Sequence, residues 1–356
     1  MDAKTETTGQ PDIAGFAAAF LQQEAGAAAV EVLGCKRLGG GAIQENLLLD
    51  VMIRGGDWDG RHELVLRTDS PSGLAVSLGR AEEFAVLKVA FAAGVTVPEP
   101  LWLYRDSGAP GGLGKDFYLM RKAEGSAAAR PLVRGELSAE ARDALLAELG
   151  AELARLHVVR PPVAGLDFLP LPDGTPALSR VKEYRCLIDA IGRPQPTLEW
   201  ALRWLELNAP ARTEVTLTHG DFRTGNYMVA DGHLSAVLDW EFAGWSDPLE
   251  DIGWLCARCW RFGAWEHEVG GIGGTAALAR GYAAVAGQPF DLDLLPYWKV
   301  MGTMRWAVIA LMQAERHLSG EQPSLELALT GRMLPEIELD LIQEIQTIEE
   351  ERARHA

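Results

Sequence analysis

The apolar residues in the first third of the chain occur in short runs separated by glycine-rich polar segments. Five such runs are present, at 30–38, 46–53, 62–67, 101–104 and 117–120. The segments GGG and RGGDWDG between the first three runs predict strands of an antiparallel meander. Helical spacing over 11–26 and 78–93 predicts two helices, the second with Phe84, Leu87 and Phe91 on one face.

Helical spacing dominates the rest of the chain. Seven stretches predict helices, at 139–157, 180–191, 197–208, 247–262, 275–286, 292–317 and 322–348. A single β-rich island, 215–239, interrupts them. The change from sheet to helix near 121–125 places a boundary between a domain of residues 1–122 and a domain of residues 123–356. A sheet-rich lobe followed by a helical lobe indicates an α+β fold with a cleft between the lobes.

Length and composition agree with a two-lobed globular enzyme. A chain of 356 residues is longer than one compact core usually holds. Hydrophobic residues make up 48% and charged residues 23%, which excludes a disordered or fibrous protein. The chain has 33 Lys and Arg against 50 Asp and Glu, a formal net charge of −17. This balance disfavours a nucleic-acid polymer or an anionic membrane as partner, because phosphate binding depends on Lys and Arg.

The cysteines and the N-terminal sequence favour a cytoplasmic enzyme with no membrane partner. Four scattered cysteines are too few for a disulfide framework in a chain of this length. The first residues are polar and lack the apolar core of a signal peptide, and no apolar run reaches the roughly 18 residues of a membrane span. The pair Cys256 and Cys259 has no second CxxC beside it, so we interpret both cysteines as packing residues.

The β-rich island carries most of the candidate chemistry. An apolar strand ends at His219-Gly220-Asp221, and Asn226 precedes a hairpin whose second strand ends at Asp239. Antiparallel pairing brings the two ends of a hairpin together. Two carboxylates and one amide oxygen are therefore expected to converge. Hard oxygen ligands of this kind suit Mg²⁺, which proteins usually hold with one or two carboxylates together with substrate phosphates.

This set of residues matches phosphoryl transfer. In that chemistry a loop aspartate orients the attacking hydroxyl, while an asparagine and a second aspartate hold the metal. The spacing of Asp221 and Asn226, D-x4-N, is that of the protein-kinase catalytic loop.

The same segment resembles the aminoglycoside phosphotransferase-like family of small-molecule kinases. The family motifs H-G-D-x4-N, I/L-D-W-E and D-P-x-x-D match residues 219–226, 238–241 and 247–251. Within the family, the chain is most similar to the branch fused to, or encoded beside, acyl-CoA dehydrogenases. The resemblance covers roughly residues 30–320 and is concentrated in 218–251. It implies a protein kinase-like fold, with an antiparallel N-lobe that includes one helix and a mainly helical C-lobe.

The resemblance also implies a role for each motif residue. Asp221 is then the catalytic base or the carboxylate that orients the acceptor hydroxyl, and Asn226 and Asp239 bind Mg²⁺. Three further motif residues are expected to brace the catalytic loop: His219, Asp247 and Asp251.

The N-lobe is expected to bind the nucleotide. Gly39, Gly40 and Gly41 form the candidate phosphate loop, because glycine lets backbone N–H groups approach an anion closely. A plain hairpin turn is the alternative, since Gln44 stands where a GxGxxG motif needs glycine. Backbone groups of a hinge segment that includes Arg121 and Ala123 are expected to bind adenine.

Kinases of this fold need a cation on the third strand, paired with an acidic residue on the following helix. Arg67 stands at the cation position in place of the usual lysine. An arginine there binds phosphate with a fork of donors, which differs in geometry from the point charge of a lysine. Glu83 is the expected partner, and Glu82 is the alternative if the helix register differs.

The sequence thus predicts an ATP- and Mg²⁺-dependent phosphotransferase acting on a hydroxyl group of a small molecule. The resemblance favours a hydroxylated catabolic metabolite such as a hydroxyacyl-CoA, whereas the acidic C-lobe would suit a cationic aminoglycoside. For a CoA ester the candidate basic residues are Arg130, Arg134, Arg258 and Arg261. A nucleotide-binding pseudokinase with a regulatory role is a third alternative, supported only by Arg67 in place of lysine.

Overall fold

Two compact units make up the chain in the computed structural model, which describes residues 13–39, 44–69, 77–108, 112–135 and 137–355. The first unit comprises Met1–Ala92 and Val97–Ala123, and the second comprises Ala93–Thr96 and Glu124–Ala356. Hydrogen bonds explain why the short segment 93–96 belongs to the second unit. Thr96 donates from N and Oγ1 to Glu152 at 2.7 and 2.9 Å, and its carbonyl accepts from Val237 N at 2.7 Å.

The first unit is built on a five-stranded antiparallel sheet. Its strands are β1 (Ala29–Leu38), β2 (Gln44–Arg54), β3 (Gly60–Asp69), β4 (Pro100–Tyr104) and β5 (Phe117–Arg121), in the order β1-β2-β3-β5-β4. Alternate residues of β2, from Leu47 to Ile53, are buried on one face. This period-2 burial is the reason the apolar runs form strands. The predicted antiparallel meander is confirmed for the first three strands.

Two helices accompany this sheet, α1 (Ile13–Glu24) and α2 (Arg80–Ala92). The buried side of α2 includes Glu83, Phe84 and Leu87. Phe91, which we expected on the same face, is 46% exposed. The buried side instead continues through Ala90 in the last turn of the helix.

The second unit is mainly helical. Its helices are α3 (Ala129–Arg134), α4 (Ala139–His157), α5 (Pro176–Ile191), α6 (Pro196–Leu207), α7 (Leu249–Cys256), α8 (Thr275–Ala286), α9 (Leu295–Leu318), α10 (Leu325–Gly331) and α11 (Leu334–His355). Helices α4 and α8 pack closely through two glycines. A Cβ atom at Gly150 would lie 2.0 Å from the Leu278 carbonyl oxygen, and one at Gly281 would lie 1.8 Å from that of Ala147.

Two of the predicted helices are shorter than their apolar spacing indicates. The stretch 247–262 forms α7 only as far as Cys256, because Ala257 is extended and a 3-10 turn, Arg258–Trp260, follows. The stretch 322–348 is divided into α10 and α11. Ser324 caps the first of these, and Pro335 stands in the first turn of the second, where its missing N–H costs nothing.

Four short strands complete the second unit. Strand β6 (Thr216–Thr218) pairs with β9 (Gly244–Ser246), and β7 (Tyr227–Ala230) pairs with β8 (His233–Val237) as the predicted hairpin. The α+β class is therefore confirmed. None of the helices in the described ranges combines the length and apolar character that a membrane crossing requires.

Candidate active site

The loop between β6 and β7 has a shape that only glycine permits at its second position. Gly220 has φ +72°, in the left-handed region, and a Cβ atom on it would lie 2.0 Å from the carbonyl oxygen of Phe242. Any side chain at this position would therefore clash with backbone. The glycine lets the chain turn between His219 and Asp221 directly against the segment that follows β8.

His219 is fully buried and joins two segments of the site. Its Nε2 lies 2.9 Å from the Leu238 carbonyl oxygen, and its Nδ1 accepts from the backbone N–H of Asp221 at 3.1 Å. Because Nδ1 is an acceptor, the proton of the neutral ring lies on Nε2, where it is donated to Leu238. The side chain is thus engaged on both sides and holds the loop to the residue before Asp239.

The Asp221 carboxylate is held by donors on both of its oxygens. Oδ1 accepts from the indole N–H of Trp254 at 2.7 Å. Oδ2 accepts from Asn226 Nδ2 at 2.6 Å and from Arg223 Nε at 3.3 Å. Asp221 and Asn226, which the sequence predicts to converge, are therefore in direct contact. The hydrogen bond from Trp254 to this carboxylate has no signal in the sequence.

Backbone pairing next to Asn226 positions Asp239. The N–H of Leu238 donates to the Asn226 carbonyl oxygen at 2.7 Å, so Asp239 follows a residue that is fixed against Asn226. Asp239 has φ +70°, an uncommon conformation for a residue with a side chain. Strain of this kind persists where surrounding contacts enforce it, and it is concentrated at functional sites.

The Asp251 side chain anchors the loop between β6 and β7 by accepting hydrogen bonds from the loop backbone. Its Oδ2 accepts from His219 N at 2.8 Å, and its Oδ1 accepts from Gly220 N at 2.9 Å. Burial opposes ionisation of this carboxyl group, but the hydrogen bonds from His157 and from the backbone N–H of His219 outweigh burial and hold the pKa of Asp251 below its usual value. Asp251 thus contacts the backbone of the loop that holds Asp221.

His157, at the end of α4, supports Asp251. It is 3% exposed, with Nε2 3.2 Å from Asp251 Oδ2 and Nδ1 3.3 Å from the Tyr282 hydroxyl. Its position at the last residue of the amphipathic helix α4 was the only available signal. The chain of contacts from Tyr282 through His157 to Asp251 ends at the backbone of the catalytic loop.

Asp247 does not contact that loop through any hydrogen bond among the described residues. Its Oδ1 accepts from Leu249 N at 2.9 Å, where it serves the start of α7, and its Oδ2 lies 3.6 Å from Arg212 Nε. Of the two carboxylates, Asp251 contacts the loop directly, whereas Asp247 accepts from the first turn of the helix that carries Asp251. Burial raises the pKa of Asp247 to about 6.

This raised pKa predicts how stability depends on pH. The folded chain binds the Asp247 proton more tightly than the unfolded chain, so this contribution to stability is complete below about pH 4 and is lost as the pH rises through about 6. Asp247→Asn removes it. We expect the stability of the variant relative to wild type to increase by about 1–3 kcal/mol between pH 4 and pH 7.

Urea unfolding at several pH values measures this change. The exposed Asp143, replaced by asparagine, serves as control and should leave the pH profile of wild type unchanged. Parallel profiles for Asp247→Asn and wild type would contradict the assignment.

In the first unit, Arg67 and Glu83 form a buried, two-pronged ion pair. Arg67 Nε lies 3.0 Å from Glu83 Oε2, and Nη2 lies 2.9 Å from Oε1. Glu82 accepts instead from Gly79 N at 3.0 Å and caps α2. The structure thus places Glu83, and not Glu82, against Arg67, with arginine supplying the cation on the third strand.

Arg80 is a second arginine on Glu83 that the sequence did not single out. It is 1% exposed, contacts Glu83 Oε2, and places Nε 2.9 Å from Asp69 Oδ1. Its position three residues before Glu83 is a common spacing for ion pairs within a helix. One carboxylate therefore orients two guanidinium groups in this unit.

The remaining predicted nucleotide-binding residues are only partly described. Gly39 forms a bend at the end of β1, and a Cβ atom there would meet nothing within 4 Å. Gly40 and Gly41 lie outside the described residues. The N–H of Arg121 already donates to the Glu99 carbonyl oxygen at 3.0 Å. The backbone N–H of Ala123 makes no hydrogen bond among the described residues, so it is the better candidate for contact with a base.

The basic residues expected to bind a CoA ester mostly serve other contacts. Arg258 Nε lies 3.2 Å from Asp340 Oδ1. Arg261 donates to the carbonyl oxygens of Trp265 and Cys256, and Arg134 donates to that of Phe262. Arg130 is exposed.

Of the two cysteines Cys256 and Cys259, Cys256 is buried, which raises the pKa of its thiol to about 12. An unreactive packing role fits that environment.

Comparison with known proteins identifies the family of the chain. Residues 34–287 match the model of the phosphotransferase enzyme family. Over 201 residues the chain is 34% identical to acyl-CoA dehydrogenase family member 10 of Mus musculus. That match covers 54% of this chain and 18% of the mouse protein, so most of that relative has no counterpart here.

Solved structures show the same fold. A Ralstonia eutropha protein proposed to be an aminoglycoside phosphotransferase has a TM-score of 0.72 at 19% identity, covering 93% of this chain and 97% of the other. APH(2″)-IIIa, solved in complex with GDP and kanamycin, has a TM-score of 0.60 at 17% identity, covering 91% and 99%. The kinase-like fold predicted from the motifs is confirmed. Because the family model spans most of the sequence and includes the loop that holds Asp221, the chain belongs to the phosphotransferase enzyme family.

Proposed function

We propose that the protein transfers the γ-phosphoryl group of ATP to a hydroxyl group of a small molecule, with Mg²⁺ as cofactor. The observation that supports this most directly is the contact of Asp221 with Asn226, beside a segment that presents Asp239 in a strained conformation. Side chains in this pattern serve phosphoryl transfer, in which catalysis rests on positioning and on neutralisation of charge.

The donor set fits a magnesium ion. The Asn226 amide nitrogen donates to Asp221, which leaves the amide oxygen as the atom that a cation would bind. Asp239 supplies a carboxylate. No group of three or more His, Cys, Asp or Glu able to hold a metal occurs in the described part of the chain. One carboxylate and one amide oxygen suit an ion that takes its remaining ligands from phosphates and water, and bound Mg²⁺ would neutralise phosphate charge.

Asp221 has the clearest task in the reaction. Its carboxylate is fixed by Trp254 and Asn226, so it can orient an acceptor hydroxyl and accept the proton released when that oxygen bonds to the γ-phosphorus. Arg67, aligned by Glu83, would bind phosphate oxygens of the nucleotide. The backbone N–H of Ala123 would contact the base. ADP and the phosphorylated acceptor are the products.

Two classes of acceptor and one role without catalysis are the candidates. The similarity to an acyl-CoA dehydrogenase family member favours a hydroxylated catabolic metabolite such as a hydroxyacyl-CoA. The kanamycin complex of a protein with this fold makes an aminoglycoside the alternative. A pseudokinase is the weakest, because Asp221, Asn226 and Asp239 are all present and Arg67 has the acidic partner that an active kinase needs.

An acceptor screen tests the proposal. ADP or GDP formation from ATP or GTP is measured with hydroxyacyl-CoA esters, free hydroxy acids, amino alcohols and amino sugars, and the product is identified by mass. We expect acceptor-dependent ADP formation that requires Mg²⁺. Asp239→Asn should raise the Mg²⁺ concentration needed for half-maximal rate by about tenfold or more, because one charged ligand is lost.

Two results would overturn the assignments. Nucleotide binding without phosphorylation of any acceptor would support the pseudokinase. An unchanged Mg²⁺ requirement in Asp239→Asn would exclude this residue as a metal ligand, even if turnover by wild type were found. Asp231→Asn, at the tip of the hairpin, is the control and should behave as wild type.

A further inference from the structure

Two arginines stack on tryptophans beside Asp221: Arg223 contacts the Asp221 carboxylate directly, and Arg305 lies on the ring of Trp254, which donates to that carboxylate. The Arg223 guanidinium lies 4.2 Å from the ring centre of Trp260, and the Arg305 guanidinium lies 4.5 Å from that of Trp254. The two tryptophans meet edge to face at 5.2 Å. These four residues, which we call the Arg-Trp cluster, come from the catalytic loop, α7, the 3-10 turn and α9 of the second unit.

Arg305 has no acidic partner within the described part of the chain. No carboxylate there lies within 4.0 Å of its nitrogens, and it donates no hydrogen bond to a described residue. Other arginines of the second unit differ, since Arg180, Arg212 and Arg258 each lie within 4.0 Å of a carboxylate. The Arg305 side chain is only partly exposed. A half-buried guanidinium without a counterion is suited to accept one from a ligand.

Trp254 connects this cation to the catalytic carboxylate. Its indole N–H bonds to Asp221 Oδ1 at 2.7 Å while its ring face carries the Arg305 guanidinium, and the ring is 1% exposed. A rigid indole fixes the direction from Asp221 to Arg305. Arg223 reaches Asp221 Oδ2 from the other side at 3.3 Å. The positions of both guanidinium groups are therefore set relative to the carboxylate that would orient the acceptor hydroxyl.

We propose that the Arg-Trp cluster is an oxyanion subsite for the acceptor, with Arg305 as its main recognition residue. The inference rests on the proposed phosphotransferase function and narrows its substrate class to hydroxylated molecules that carry a carboxylate or a phosphate group. Guanidinium forks bind both groups with paired hydrogen bonds. The carboxylate of a free hydroxy acid and a phosphate of a CoA thioester are the two sources of this chemistry.

The local charge argues against a polycationic acceptor despite the net charge of −17. Charges on the distant surface are screened over about 8–10 Å at physiological salt, whereas a guanidinium in the subsite acts at contact distance. An aminoglycoside would place ammonium groups beside Arg223 and Arg305. Like charges that meet at short range lower affinity and so exclude the wrong partner.

Matched acceptors test this subsite by kinetics. The test compares four proteins on four classes of acceptor. The proteins are wild type, Arg305→Gln, Arg305→Lys and the control Arg280→Gln, which replaces an exposed arginine of α8. The acceptors are a hydroxyalkanoate series with the hydroxyl group at successive carbons, the corresponding uncharged methyl esters, the CoA thioesters, and kanamycin. We expect Arg305→Gln to lower kcat/KM for the anionic acceptors by about tenfold or more, with partial recovery in Arg305→Lys.

The pattern across acceptors separates recognition from a purely structural role. Arg305→Gln should lower kcat/KM for the anionic acceptors by a larger factor than for the methyl esters, whereas general damage to the site would lower all rates by the same factor. A loss confined to the thioesters identifies a CoA phosphate as the ligand group, and a loss confined to the free acids identifies the carboxylate. An unchanged ratio of anionic to uncharged acceptors in Arg305→Gln, or a preference of wild type for kanamycin, would overturn the proposal.

A binding measurement keeps the test independent of turnover. Calorimetric titration of wild type and Arg305→Gln with CoA and with each hydroxyalkanoate measures the subsite directly. We expect binding of at least one of these anions to weaken by about tenfold in the variant. Binding that depends on Arg305 without any phosphorylation would leave the subsite established and the proposed kinase function wrong. Equal binding by the two proteins, or no binding by either, would reject the subsite.

Discussion

Asp221→Asn is expected to lower kcat by about a hundredfold or more, because proton transfer through a positioned side chain contributes that much in many enzymes. The asparagine keeps the size of the aspartate but cannot accept a proton from the acceptor hydroxyl. Its amide nitrogen would also face a donor, since Asp221 accepts from Trp254 on one oxygen and from Asn226 on the other. Steady-state rates with a confirmed acceptor, together with nucleotide affinity by calorimetry, measure the effect.

Nucleotide affinity should change little in this variant, since Asp221 would contact the hydroxyl and not the nucleotide. Asp231→Asn provides the matched control, because it makes the same replacement in the adjoining hairpin, at a residue with φ +51° that asparagine tolerates. Retention of more than about a tenth of the wild-type kcat would rule out Asp221 as the group that takes the proton.

Asp251→Ala is expected to give the largest loss of stability among the motif residues. Removing the carboxylate leaves the backbone N–H groups of His219 and Gly220 without acceptors in a buried position. Each unsatisfied buried donor costs about 1–3 kcal/mol, so the two together are expected to lower the free energy of unfolding by about 2–6 kcal/mol. Urea unfolding at pH 7 measures the change, and activity should fall with it because the loop loses its anchor.

Asp251→Asn separates the two effects. The amide retains one acceptor oxygen, so it should recover part of the stability while the second N–H stays unsatisfied. Asp143→Ala on the exposed side of α4 is the control for loss of a surface carboxylate and should change stability by less than about 0.5 kcal/mol. If Asp251→Ala unfolded at the same urea concentration as wild type, the contact of Asp251 with the loop would not contribute to the free energy of unfolding.

Local spacing explains why the centre of the site could be predicted. Asp221 and Asn226 lie five residues apart on one loop, and a tight hairpin returns the chain to Asp239. The strands of the first unit were predictable for the same reason, since alternation along each strand determines which face is buried. Glu83 also followed from helix register, because Glu82 occupies the capping position and Glu83 turns toward the third strand.

Contacts between distant segments explain why the rest could not be predicted. Trp254 reaches Asp221 across 33 residues, and His157 reaches Asp251 across 94, so no local pattern records either bond. Asp247 and Asp251 share one motif, yet their contacts differ. Asp247 precedes α7 and accepts from the N–H of Leu249, whereas Asp251 lies within α7 and accepts from the loop. The end of α7 at Cys256 depends on an extended Ala257 that apolar spacing does not show.

The course of the chain between the two units has a practical consequence for dissecting the protein into fragments. The backbone passes between the units three times, because residues 93–96 belong to the second unit although they lie within the sequence of the first. A fragment that ends at residue 123 would include Thr96. In the intact chain, Thr96 donates to Glu152 and accepts from the N–H of Val237, in the hairpin that precedes Asp239. The helical half expressed alone would therefore lack a piece of its own structure, and adding a peptide that spans residues 93–96 would be the natural route to restoring it.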